Sequence, residues 1–119
     1  MNVNEFERLI RDFFEVNCIG LMVKKRKEYV RGNDIFHNFK KSGASREKSP
    51  EEALQGMKQK QTTSIDDLVQ ELDRNDKKYN KRVEISEEEY AIWREKLRDD
   101  VNYDFLLFGL VTERLIRRL

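Results

Sequence analysis

Proline occurs once in this 119-residue chain, at position 50, and its neighbours say what it does there. Ser49-Pro50-Glu51-Glu52 reads as a helix start. Ser49 stands at the N-cap, Pro50 takes the first helical position where no N–H is needed, and Glu52 completes a Ser-x-x-Glu capping box. Ser86-Glu87-Glu88-Glu89 repeats that signature. With five glycines besides this one proline, the chain lacks the tight-turn residues that an all-β fold needs between its strands. The expectation is an all-α fold.

Apolar spacing fills in the helices. A first helix starts near Asn2 or Asn4, both good N-caps, with Val3, Phe6, Ile10, Phe13, Phe14 and Leu21 recurring at helical steps. It runs through Gly20 to about Tyr29, and Arg31-Gly32-Asn33-Asp34 reads as its stop. Residues 31–49 form an irregular section whose Phe36 and Phe39 pin it, or a single helical turn of it, onto the core. The helix after Pro50 carries Leu54, Met57, Ile65, Leu68 and Leu72, then gives way to a polar linker over about 74–85.

From Ser86 onward only Gly109 interrupts a helical pattern. A continuous helix over that span would be about 50 Å long, against roughly 30 Å for a small domain. It must therefore bend near Gly109 or project onto another chain. The stretch Val101 to Val111 leaves little polar face, and a helix apolar all round is buried on all sides. The expected architecture is one all-α domain over 1–119, a bundle of three to four helices forming a homodimer or higher oligomer.

Charge is the second constraint. Charged residues make up 39% of the chain, yet 24 basic and 23 acidic residues leave a net charge of only +1. The balance conceals segregation: residues 24–48 hold nine bases against three acids, while acids cluster at Asp66-Asp67, Glu87-Glu88-Glu89 and Asp99-Asp100. Either these faces are simply solvated, or a basic region facing an acidic one holds a phosphate-bearing ligand together with a cation. No run approaches the roughly 18 apolar residues of a membrane span, and charges interrupt any leader-like stretch from Glu5 onward. The expected location is cytoplasmic. Cys18 is the sole cysteine and His37 the sole histidine, which excludes a Cys-rich zinc site and a multi-His metal centre. Both read as packed residues.

Two helix faces carry the candidate chemistry. Lys60, Ser64, Asp67 and Glu71 follow at steps of four, three and four, and Glu95, Asp99 and Asn102 at steps of four and three. Each set flanks an apolar stripe, where bundles place metal sites. If the two helices are neighbours, Asp67, Glu71, Glu95 and Asp99 converge, and four carboxylates without Cys or His would take Mg²⁺ or Mn²⁺. Alternatively, Glu95 or Asp99 only pairs with Lys96, Arg98 or Lys58. The basic run from Lys24 to Arg31 could hold phosphates, contact nucleic acid, or serve as a solvated helix end stabilised by the dipole.

Several short motifs resemble a group of small phage and prophage proteins. They are Lys27-Glu28-Tyr29, Asp34-Ile35-Phe36-His37-Asn38-Phe39-Lys40, Pro50-Glu51-Glu52-Ala53-Leu54, Gly56-Met57 and Asp67-Leu68-Val69, closing with Glu95-Lys96-Leu97-Arg98-Asp99 and Asn102-Tyr103. The Asp-x-x-Asn-Tyr ending is similar to the nucleotide-modification-associated domains of phages, and both are distantly similar to MazG-like all-α nucleoside triphosphate pyrophosphohydrolases. That resemblance implies an oligomeric helical bundle in the cytoplasm of a bacterial host. It also implies Mg²⁺ held by Asp67 and Glu71 on one helix and by Glu95, Asp99 and Asn102 on another, with Glu95 and Asp99 as the catalytic acids. Lys24, Lys25, Lys27 and Lys60 would then contact the phosphates of a nucleotide. The sequence departs from the MazG-like pattern in offering Asp67-x-x-x-Glu71 for Glu-Glu-x-x-Glu and a four-step Glu95–Asp99 pair for Glu-x-x-Asp; Gln61 stands where His is expected. The alternative is a non-enzymatic, oligomeric helical interaction module that binds a protein or nucleic acid.

Overall fold

The computed structural model describes residues 1–29, 34, 36–75 and 82–115, of which 26–29 and 75 are described by backbone alone. The fold is all-α. α1 (Val3–Asp12), a π-helical segment (Phe13–Ile19) and α2 (Gly20–Tyr29) follow without interruption as one N-terminal rod. After it come α3 (His37–Ser45), α4 (Pro50–Asn75) and α5 (Glu87–Arg114).

The helix starts obey the local chemistry. Asn2 caps α1 by accepting from the Glu5 N–H at 2.9 Å, and the Glu5 carboxylate accepts the Asn2 N–H at 3.2 Å. The Ser49 hydroxyl accepts the Glu52 N–H at 3.1 Å, and Ser86 accepts the Glu89 N–H at 3.1 Å.

Where an irregular section is expected, α3 forms nine helical residues. Its start has no ordinary cap. Instead the Asp34 carboxylate accepts the Phe36 N–H at 2.9 Å and the Lys40 ammonium at 2.8 Å, and Lys40 also reaches Glu113 of α5 at 3.0 Å. The Lys40 hydrogen bond, then that from Phe36, holds the Asp34 carboxyl below the usual carboxylate range. At the far end of α3 the chain turns tightly enough that Gly43 carries no room for a side chain. A Cβ there would lie 2.6 Å from the Lys48 carbonyl oxygen.

Phe39, Leu54, Leu106 and Leu110 form the buried core, drawn from α3, α4 and α5. Phe36 packs on its edge over Gly109, where an added Cβ would come within 2.7 Å of the ring. Gly109 is therefore a packing site: α5 passes through it as one helix and receives the ring of Phe36, which pins the start of α3 onto the core as expected. Gln61 ties α4 to α5 by donating to the Lys96 carbonyl at 2.8 Å, and Lys58 meets Asp104 at 2.6 Å. The N-terminal rod joins through its π-helical segment, whose Cys18 is fully buried and whose Phe14 stands edge-on to Phe105 of α5 at 5.5 Å. Burial pushes the Cys18 thiol up, with Arg98 and Asp99 acting in opposite senses nearby. Cys18 is a core residue, as its sequence context suggests. His37 opens α3, half-buried.

The linker expected over 74–85 begins a little later, since α4 continues to Asn75; residues 76–81 lie outside the described residues. No helix among the described residues is long and apolar enough to cross a membrane.

Candidate functional site

A cleft of about 170 Å³ opens between the N-terminal rod and α5, lined by Leu21, Met22, Lys25, Asp99, Asn102, Tyr103 and Leu106. Its polar wall is made by helical spacing: Asp99 and Asn102 stand three residues apart on α5, so their side chains project side by side. Lys25 comes from α2 on the opposite wall. Leu106, one turn beyond Asn102, closes the floor as part of the core.

Among the described residues Asn102 is the one buried polar residue, only 9% exposed, and its Oδ1 has no hydrogen-bond partner among them. A buried amide oxygen left without any partner costs roughly 1–3 kcal/mol, and this one sits where the cleft opens. Asp99 is half-buried and is held by the neighbouring Arg98 at 3.2 Å, one of the pairings its sequence context allows. The site thus combines two acceptor oxygens with the cations of Lys25 and Arg98 at its margins.

The remaining sequence candidates do not gather here. Glu71 lines a second, mostly apolar cleft with Leu68, Leu72, Val83, Ile85, Glu89 and Trp93, between the end of α4 and the start of α5. Asp67, Glu95, Lys24 and Lys60 are exposed and line neither cleft. The side chain of Lys27 lies outside the described residues. Among the described residues no group of three or more His, Cys, Asp or Glu side chains is placed to hold a metal ion. The convergence of Asp67, Glu71, Glu95 and Asp99 expected from spacing is therefore not what the helices produce. The reason is geometric: α4 and α5 turn Asp67 and Glu95 outward and carry Glu71 and Asp99 to different clefts. A protein-only Mg²⁺ cage does not fit this arrangement. Asp99 with Asn102 fits the looser mode in which one carboxylate holds an ion that brings most of its other ligands from phosphates and water.

Asp99 and Asn102, which helical spacing places on one face, both line this cleft, whereas the sequence gives Leu21, Met22 and Tyr103 no part in a site. Their signal is the apolar face of the rod, which reads equally as core. Comparisons with family models, with curated proteins and with solved structures give no match, so the chemistry of the cleft has to speak for itself.

Proposed function

We propose that this chain is a phage-type, MazG-like helical protein that binds a nucleotide in the cleft between the N-terminal rod and α5. The observation that carries the reading is the unpartnered, buried Asn102 oxygen beside Asp99, across from Lys25. A buried polar group without a partner calls for an explanation; Glu51 and Asp100 also carry such an oxygen, but the one on Asn102 lines a cleft that a ligand could fill. Asp99 and Asn102 offer two oxygens to a divalent cation arriving with the nucleotide's phosphates, and Lys25 offsets phosphate charge. Mg²⁺ in that position would neutralise the phosphates and orient them.

The reading is of binding first. Cleavage of a phosphoanhydride needs a carboxylate to align water against the metal-held phosphate, and Glu95, the second expected catalytic acid, stands exposed outside the cleft. Isothermal titration with a panel of nucleotides, with and without Mg²⁺, tests the proposal. Heat of binding that requires Mg²⁺ and disappears in Asp99→Ala and Asn102→Leu supports it. Equal behaviour of wild type and both variants discards it.

A second reading, the non-enzymatic interaction module, draws support from the solvent positions of Asp67, Glu71 and Glu95. In its nucleic-acid form the basic region binds DNA with a steep salt dependence. A flat salt profile in a DNA-binding titration rejects that form.

A further inference from the structure

A third cleft, of about 400 Å³, lies between the first half of the N-terminal rod and the start of α5, and shares no lining residue with the nucleotide cleft. Leu9 and Asp12 of α1, with Phe13, Val16 and Asn17 of the π-helical segment, form one wall. Tyr90 and Arg94 of α5 form the other. The volume falls within the range of about 300–1,000 Å³ usual for small-molecule sites. Segments of π-helix are rare and recur at functional sites.

The polar groups of this cleft are sorted by sign. The rod presents the Asp12 carboxylate and the Asn17 amide. Asn17 Nδ2 donates to the Asp12 carbonyl at 3.4 Å, which leaves its Oδ1 as a second acceptor. On α5, Arg94 rests over the Tyr90 ring, 5.6 Å from its centre. That stacking leaves the N–H edge of the guanidinium for a carboxylate. Asp12 and Arg94 do not come within ion-pair distance of each other, and among the described residues neither has another ion-pair partner.

Exposed charges are ordinarily met by water alone. Here opposite charges face one concave space whose other lining, Leu9, Phe13, Val16 and the Tyr90 ring, is apolar. An anion alone would meet Asp12, and a cation alone would meet Arg94. A molecule with both charges at one end and an apolar body suits every wall.

We infer that this cleft binds an α-amino acid with a large apolar side chain. Its carboxylate pairs with the Arg94 guanidinium, its ammonium with the Asp12 carboxylate and Asn17 Oδ1, and its side chain lies against Leu9, Phe13 and Val16. The inference stands whether or not the other cleft binds a nucleotide.

Titration of the full chain with L-phenylalanine, followed by amide correlation spectra, tests it. Saturable shifts of the Asp12, Asn17 and Arg94 amides are expected, with a dissociation constant in the millimolar range or tighter. Asp12→Asn and Arg94→Gln should each weaken binding at least about tenfold, because each removes a charge-assisted contact. Both residues are exposed, and dispersed spectra of the variants confirm that the fold is kept. Phenylpropionate, which lacks the ammonium, and phenethylamine, which lacks the carboxylate, should bind more weakly than phenylalanine by a similar factor. No saturable shift up to the solubility limit of phenylalanine overturns the inference. So do shifts confined to other residues, binding unchanged in both variants, or equal binding of either single-charge analogue.

Discussion

α1 and α5 make opposite use of their apolar residues. α1 is the most strongly amphipathic helix in the chain and buries none of its ten residues, while α5 is weakly patterned and supplies Leu106 and Leu110 to the core. A stripe prepares a helix for burial but cannot provide the surface that buries it. α5 is enclosed because α3, α4 and the rod lie around it, so a pattern apolar on most sides is satisfied within one chain. α1 runs on past that enclosure. The apolar abundance of the last helix, which suggested an oligomer, is largely consumed internally, although Phe108 remains 76% exposed. The unspent apolar surface lies at the other end of the sequence.

The contrast can be broken most forcefully at Leu110, 2% exposed. Leu110→Ala should cost about 2–5 kcal/mol in chemical denaturation, whereas Phe6→Ala should stay within about 0.5 kcal/mol. Equal losses would mean that α1 belongs to the same core. Next in size is Gly43→Ala, whose new methyl group meets backbone that cannot swing away. A loss of about 1–3 kcal/mol is expected from that overpacking, despite the gain in helix propensity. Asn102→Leu should move the other way. Removing a buried, unpartnered oxygen should raise the stability of the free protein by about 1 kcal/mol while abolishing the proposed nucleotide binding. A thermal melt and a titration on the same sample measure both.

Loss of the α5 cap in Ser86→Ala should cost about 1 kcal/mol, visible as a lower denaturation midpoint. The smallest effect belongs to Asp34. Its carboxyl is depressed in the folded state, so its contribution to stability is complete above the unfolded carboxylate value and fades as pH falls through the folded one. Asp34→Asn should therefore flatten the acid side of the melting-temperature profile and leave the neutral side slightly lower. Because the groups are solvent-exposed, added salt should shrink the difference.

What could be read in advance follows the range of the interactions. The starts at Asn2, Ser49 and Ser86 depend on contacts within three residues, and all three occur as expected. α3 was hidden because its start is fixed by the Asp34–Lys40 pairing and its reason to exist is the burial of Phe39 against Leu54, Leu106 and Leu110. Residues such as Ser42, Gly43 and Ser45 argue locally against a helix there. The candidate site divides in the same way. Asp99 and Asn102 share a face because residues three apart on one helix nearly always do so. Whether Asp67 or Glu71 meets them depends on how far α4 slides and rotates against α5, which no spacing within either helix contains.

Lys25 illustrates the limit most clearly. A π-helical segment intervenes between it and α1, and such a segment breaks the ordinary rotational relation between faces on its two sides. The sequence by itself determined that the chain is helical, where its capped helices begin, and which neighbouring side chains stand together, because those are set by backbone hydrogen bonds and fixed helical rotation. The tertiary structure alone decided that four carboxylates part company, that Lys25 faces Asn102, and that α1 is left with its apolar side in water. Those outcomes depend on the relative placement of helices, which emerges only when distant surfaces compete for burial.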